Sequence, residues 1–343
     1  MNAFFIDLIS LTKVIIHEDQ LQEKTCFLFS FENIMTSLQL ISKYLYQYVG
    51  ISLVCFGSFG SILNILVFIQ KNLRKNPCSI YFLAANISNI LFINSLLLAT
   101  TLESGFNIHT NEQNIVLCRL CYYTSLTCNV LSTYCLILAS YDRTLVTSSD
   151  VATRQQSTLR SSYLYVIIGT IFWILFHIPA LIYMDIIPVN GNMLMCTYRP
   201  GLFFNLVTYY SVLKEMASLI LLIVFGLQTV RNIQHIRRAT EPAAPLQTQT
   251  NAHVINSKDR QFILMILVDI IIFSIFYSIV SITLLRQLIT QRQQESNEQI
   301  EIDLFLKQMT VFCFHFPFCC SCYTNCIVSK AYRNAVKSVF SGN

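Results

Sequence analysis

The sequence predicts an all-α fold, a bundle of seven transmembrane helices, and three observations carry that prediction. Hydrophobic residues make up 54% of the 343 and charged residues only 12%, about half the charged share of an ordinary soluble domain. So few charges cannot cover soluble domains of this size, and the chain needs an apolar solvent. Seven runs reach the roughly 20 residues that a helix needs to cross about 30 Å of hydrocarbon. Basic residues then fall unevenly between alternate loops, which gives the bundle a direction.

Residues 1–45 are expected to form an extracellular N-terminal tail. Its start, "MNAFFIDLISLTKVII", faintly resembles a signal peptide. It lacks a basic leading segment, and Asp7 and Lys13 interrupt the apolar run, so no cleavage is expected. The spans of the 46–328 membrane domain are predicted at 46–70, 79–101, 117–140, 162–184, 203–228, 262–285 and 304–328. They are too long, and alternate too little, for barrel strands. The loops near 71–78, 141–161 and 229–261, with the tail 329–343, hold fourteen of the 23 basic residues. That set is therefore cytoplasmic, which leaves the N-terminus extracellular. "RRATEPAAPLQTQTNAH" (237–253) reads as a flexible linker. In the tail, "SKAYRNAVKSVF" (329–340) reads as a short amphipathic inner helix. Tyr332, Val336 and Phe340 form its apolar face, and Lys330, Arg333 and Lys337 point toward headgroups.

Thirteen cysteines without paired CxxC spacing argue against a zinc array, and most read as small buried hydrophobes. Cys118 and Arg143 lie 25 residues apart in the third span, a rise of about 37 Å, so they sit at opposite membrane faces. Cys118 and Cys196, in "GNMLMCTYRP" (191–200), then share the oxidising side and can pair. Cys26 is a competing partner.

With these residues in order, the chain resembles the rhodopsin-like (class A) G-protein-coupled receptors. The resemblance spans residues 46–335. It rests on Asn64 ("GSILNILVF"), Asn89 ("ANISNILF"), Cys118 and "YDR" at the family's separation, Trp173 ("GTIFWILFHIP"), Cys196 and "CCSCYTN" (319–325). It implies a plasma-membrane receptor that transmits an extracellular ligand's binding to a heterotrimeric G protein. Asp142 and Arg143 would be the coupling switch, in which Asp142 neutralises an arginine that is costly to bury alone. Asn64, Asn89, Asp269, Tyr323 and Asn325 would form a polar network within the bundle. Asp269 would partly stand in for the second-span aspartate that Asn89 (or Asn86, one turn earlier) replaces, and no strong sodium site is expected. The chain departs from the pattern elsewhere too. Thr144 follows Arg143 in place of tyrosine, the fifth and sixth spans lack proline, and in the seventh either Cys319 and Cys320 stand where Asn-Pro is usual ahead of Tyr323, or Asn325 takes the tyrosine's place. Straighter fifth and sixth helices follow from the missing prolines.

The same resemblance narrows the ligand. Ser125 stands where amine receptors carry an aspartate, which disfavours an amine. Cys313 stands where opsins carry the retinal lysine, and Lys307 lies too near the outer face to replace it, which disfavours retinal. Lys214 and Glu215, about 100° apart on their helix, are candidate pocket residues beside Ser125; pairing with each other is the alternative. The acidic stretch Glu295, Glu298, Glu301 and Asp303 favours a basic peptide such as an amidated Arg-Phe type, against an ordinary solvated loop. His177 and His315 read as core or pocket histidines. No metal, cofactor, nucleic-acid partner or enzymatic motif is expected. The competing readings are a seven-span transporter or channel-like chemoreceptor, and a non-signalling decoy receptor. Transport finds neither a polar lane nor repeated halves.

Overall fold

A computed structural model describes the backbone of residues 37–189, 193–199, 201–240, 257–290 and 297–341. Cys26 and most of the 237–253 linker lie outside these residues, as do the side chains of Glu295, Glu298, Glu301, Asp303 and Lys307. Four membrane-length helices come first: α1 (Ser37–Ile69), α2 (Pro77–Phe106), α3 (Ile115–Val146) and α4 (Leu159–Tyr183). A β-hairpin follows, in which β1 (Met184–Val189) pairs antiparallel with β2 (Met193–Tyr198). Then come α5 (Leu202–Thr240), α6 (Ser257–Thr290), α7 (Asn297–Val328) and the short α8 (Lys330–Ser341). Seven of these helices are long and apolar enough to cross a membrane, and the chain is a multi-pass membrane protein.

The helices extend past the predicted runs. α1 begins at Ser37, so residues 37–45, expected in the tail, are helical. Ser42 Oγ donates to Gln308 Oε1 at 2.6 Å, and the Tyr46 hydroxyl donates to the Gln308 carbonyl at 2.9 Å. An apolar-run reading finds only the part of a helix that crosses hydrocarbon. Backbone hydrogen bonding continues through the polar residues beyond, where packing favours it.

α1, α2, α3, α5, α6 and α7 close a ring in which each packs against the next. α4 lies outside it against α2 and α3. α3 is the most buried span and α4 the least. Small residues set the close approaches, as expected where packing rather than hydrophobicity joins helices. A Cβ on Gly57 would meet Cys319 Sγ at 2.6 Å, and one on Gly169 would overlap the Tyr134 ring. The core cluster runs from Leu97, Phe92 and Phe318 to Phe68, Phe262 and Tyr332.

α2 ends at Asn107, whose φ of 57° places it in the left-handed region. Its N–H reaches the Glu103 carbonyl, and that of Ile108 reaches Leu102, closing the helix and reversing the chain. α8 lies across the opposite end of the bundle. It buries Tyr332 and Ala335 and packs Val336 and Val339 on the core, while Phe340 is 70% exposed. Its apolar stripe is thus Tyr332, Ala335, Val336 and Val339, the i, i+3, i+4, i+7 set. Phe340, about 80° around the helix from Tyr332, extends that stripe away from the bundle.

Candidate functional site

At the α8 end of the bundle, Arg143 is 1% exposed and Asp142 3%. Arg143 pairs with the Asp142 carboxylate next to it, its Nε donating at 3.1 Å. The guanidinium also reaches two other helices. NH1 donates to Asp259 Oδ1 of α6 at 3.1 Å, and NH2 donates to Asn76 Oδ1 at 3.1 Å. Asn76 Nδ2 closes the triangle onto Asp259 Oδ1 at 2.9 Å. The guanidinium carbon lies 6.0 Å from the Phe262 ring centre.

Local sequence places each of these groups. Asn76 is the N-cap of α2, with Pro77 at the first helical position, and its Oδ1 also accepts from the Cys78 N–H at 3.0 Å. Both are strong helix-start signals. Asp259 sits in the first turn of α6, where a carboxylate suits the helix dipole. Ser157, beyond α3, donates to Asp142 Oδ1 at 2.5 Å. Thr144, the residue in tyrosine's place, turns its hydroxyl back to the Tyr141 carbonyl at 2.6 Å, and its own carbonyl accepts from Asn232 Nδ2 of α5 at 3.2 Å. One buried cation therefore joins α2, α3 and α6, and Asn232 ties α5 beside it.

Sequence reasoning found Asp142 and Arg143 but missed Asp259, Asn76, Ser157 and Asn232. A usable signal existed for Asp259. In "SKDRQF" it is the only acid just before the apolar run of α6, at the membrane end that Arg143 occupies.

The expected polar network divides into separate pairs. Asn64 Nδ2 donates to Asn86 Oδ1 at 2.8 Å, so Asn86 rather than Asn89 partners the first span. Asn89 instead accepts from Ser132 of α3. Asp269 is buried in α6, and Thr324 donates to it at 3.4 Å; no hydrogen bond joins it to Asn64 or Asn89 among the described residues. Asn325 is fully buried, and its amide makes no hydrogen bond among them. Tyr323 lies apart from the network. It is 37% exposed, and its hydroxyl donates to the Phe56 carbonyl at the bundle rim at 2.9 Å. The tyrosine that enters is Tyr332 of α8, which is 1% exposed and donates to Asn64 Oδ1. Cys319 and Cys322 point α7's buried face inward, and Tyr323, about 100° further round, is turned away.

At the other end, Cys118 of α3 and Cys196 of β2 form a disulfide across a Cα separation of 5.9 Å. Arg119 Nε donates to the Met184 carbonyl at 3.0 Å, and Arg199 Nε donates to Asp185 Oδ2 at 2.7 Å. That bond from Arg199 holds the Asp185 carboxyl below its ordinary pKa, with help from the Ile186 N–H. Burial pushes the Tyr198 hydroxyl up.

Among the described residues, cavities open at this end. One of about 430 Å³ is lined by Arg119, Asp185, Arg199 and the ends of α4 and α5. Another, about 300 Å³, lies between α2 and α3. Ser125, Lys214 and Glu215, the candidate pocket residues, line neither. Ser125 is buried and bonds to the Cys121 carbonyl at 2.6 Å and to Ser95 at 3.1 Å. Lys214 and Glu215 pair with each other, since a lysine stem is long enough to cross the roughly 100° between adjacent positions on the helix. Glu215 Oε2 is left without a hydrogen bond among the described residues. His177 is satisfied by the Trp173 carbonyl at 2.9 Å and the Tyr210 hydroxyl at 3.1 Å. His315 contacts the Val311 carbonyl at 2.6 Å and stacks on Phe92.

Fold and site together define a seven-span membrane protein with a buried charge triangle at one end and a disulfide-pinned hairpin at the other. No family model matches the chain, and no curated protein matches it.

Proposed function

We propose that the chain is a plasma-membrane receptor that passes the binding of an extracellular ligand, best a peptide, to a heterotrimeric G protein. The observation that carries this reading is the Arg143 triangle. A receptor of this kind needs an element with two packings, biased from the far face. Arg143 holds the near ends of α2, α3 and α6 together through Asn76, Asp142 and Asp259. Freed from Asp259, α6 can swing outward and open a crevice for a partner helix, while Asp142 keeps the guanidinium neutralised. The excess of Lys and Arg on the segments at the triangle's end supports a cytoplasmic setting for it, with α8 beside it and the hairpin outside. The mixed charges of the larger hairpin-side cavity suit a peptide's charged and amide groups.

The test is expression in a G-protein reporter cell, screened with a neuropeptide library beside Arg143→Ala and Asp259→Asn at matched surface levels. The reading expects an agonist or basal response that Arg143→Ala abolishes and Asp259→Asn raises. Silence of the wild type against every peptide with no basal output, or an Arg143→Ala chain that signals equally, overturns it. The first of those outcomes supports the decoy reading.

A further inference from the structure

We propose that Ser157 is a phosphorylation site for a kinase that reads arginine three residues ahead of its target, and that the phosphate releases the α3–α4 loop from Asp142. The proposal rests on the cytoplasmic setting inferred above for this end of the bundle, where ATP and kinases are found. Its chemistry can be tested without that setting.

Sequence and structure together single out Ser157. Between α3 and α4 the chain reads "TSSDVATRQQSTLRSS" (147–162), and Ser157 is its only serine or threonine with an arginine, Arg154, three places before it. Kinases select such substrates by charge. Ser157 and Thr158 lie outside regular structure, between the short helix Val151–Gln155 and the start of α4. A helix of that length does not hold by itself in water, so the segment can open into a kinase cleft. Arg154 donates to the backbone carbonyls of Ser148 and Ser149 at 2.9 and 3.1 Å, and Gln155, Gln156 and Thr158 are exposed.

In the transfer, Ser157 Oγ attacks the γ-phosphorus of ATP. The Oγ–P bond forms as the bond to the ADP oxygen breaks, and the hydroxyl proton leaves to the kinase's base. The particular feature is the partner that the hydroxyl gives up. Oγ donates to Asp142 Oδ1 at 2.5 Å, which ties the loop to the buried Arg143 triangle. A phosphate ester at neutral pH carries about −1.5 to −2 charge and cannot serve as that donor. It would face the buried Asp142 carboxylate where Arg143 already serves Asp142, Asp259 and Asn76. The like charges repel, and the loop must leave. A second place for the phosphate lies next to it. Thr158 caps α4, whose positive N-terminal end and exposed Arg160 attract a dianion. Phosphorylation thus exchanges a tie to α3 for one to α4, beside the residue that the receptor reading makes the switch.

Full-length protein in phosphatidylcholine nanodiscs, which leave both faces open, is treated with ATP, magnesium and activated calmodulin-dependent protein kinase II. Mass spectrometry maps the phosphate. Every sample carries Thr240→Ala, because "RRAT" (237–240) offers the kinase a second arginine-led site. Ser157 is expected to approach one phosphate per chain, and Arg154→Gln, which loses a charged contact to the kinase, to react at least about tenfold more slowly. Amides of 148–158 should exchange at least about fivefold faster once Ser157 is phosphorylated and recover after phosphatase treatment. That comparison needs no substitution in the loop, so it stands even if Arg154→Gln folds poorly. Three results overturn the proposal: no phosphate on Ser157, Arg154→Gln modified within twofold of its parent, or exchange over 148–158 within twofold after phosphorylation. Cells given kinase and ATP from outside then separate the setting from the site. Phosphate on Ser157 only after permeabilisation supports the cytoplasmic setting, and phosphate on sealed cells overturns it.

Discussion

Replacing Asp259 tests the charge triangle most directly, because it removes one helix's attachment and leaves the others in place. Asp259 Oδ1 accepts from Arg143 and from Asn76. Asp259→Asn keeps the shape but loses the charge. A hydrogen bond to a charged group is worth about 1.5–3 kcal/mol and a neutral one about 0.5–1.5, so the swap costs about 1–1.5 kcal/mol. The Asp259 side chain is 27% exposed, and solvent screening reduces the loss to about 1 kcal/mol. Asp259→Ala removes both bonds and should cost about 2 kcal/mol. Arg143 stays neutralised by Asp142 in both variants, so the protein should remain folded. The equilibrium between packed and released α6 then shifts by about 5-fold for asparagine and about 30-fold for alanine, at about 1.4 kcal/mol per factor of ten. Hydrogen exchange by mass spectrometry in nanodiscs reads this opening. Amides of 261–266 should exchange faster by those factors, and amides of 279–285 should not change. If both variants leave 261–266 within twofold of wild type, Arg143 does not hold α6 and the two-packing argument fails.

Three further outcomes follow from other contacts. Tyr332→Phe leaves Asn64 Oδ1 without its donor inside the bundle and should destabilise by about 1–3 kcal/mol. Tyr323→Phe, at the rim, should cost under about 1 kcal/mol, and equal melting shifts would restore Tyr323 to the network. Gly169→Ala pushes a methyl into the Tyr134 ring and should cost about 1–3 kcal/mol. Adding Tyr134→Ala should make the pair less than additive in thermal melts, and simple additivity would deny the contact. The depressed carboxyl of Asp185 stabilises the hairpin at pH above its unfolded value of about 4, and that contribution disappears as pH falls through its lower folded value. Wild type should therefore melt higher than Asp185→Asn at neutral pH, and the gap should close as pH falls below the unfolded value of about 4. A constant gap across that range would count against the Arg199 contact.

How far the sequence could be read depended on whether the deciding contact was local. The spans were legible because a 20-residue apolar run has few other uses, but the ends of α1 and α2 were not. Polar residues beyond the hydrocarbon stay helical only because of partners such as Gln308 on α7. Asp142 and Arg143 were legible as neighbours. Asp259 lies 116 residues from Arg143 and Asn76 lies 67 away, and no periodicity sets the register of α6 or α2 against α3. Asn86 and Asn89 show the same limit at one turn. Both face inward, and only the depths of α1 and α3 decide that Asn64 meets the first and Ser132 the second. A motif reading chose Tyr323 for its position in the seventh span. The rotation of α7 excluded it, and α8 supplied Tyr332 from outside the motif.

The charged groups at the two ends of the bundle share the same two helices. α2 begins at Asn76, in the Arg143 triangle, and ends a few residues past Glu103. α3 follows the Glu112 turn, carries Cys118 near its start, and ends just past Arg143. α2 and α3 also form the most extensive helix pair in the molecule. A tilt between them at the hairpin end must therefore be absorbed along their shared face or appear where Asn76 meets Arg143. Coupling between the ends requires that something bound at the hairpin end favour one tilt over the other. The Cys118–Cys196 bond fixes α3 to the hairpin, while the end of α2 is tied to α1, where Gln47 Nε2 donates to the Gly105 carbonyl at 2.7 Å. By that geometry α2 moves with α1 rather than with the hairpin, and Asn76 is the point at which its movement would loosen the Arg143 triangle.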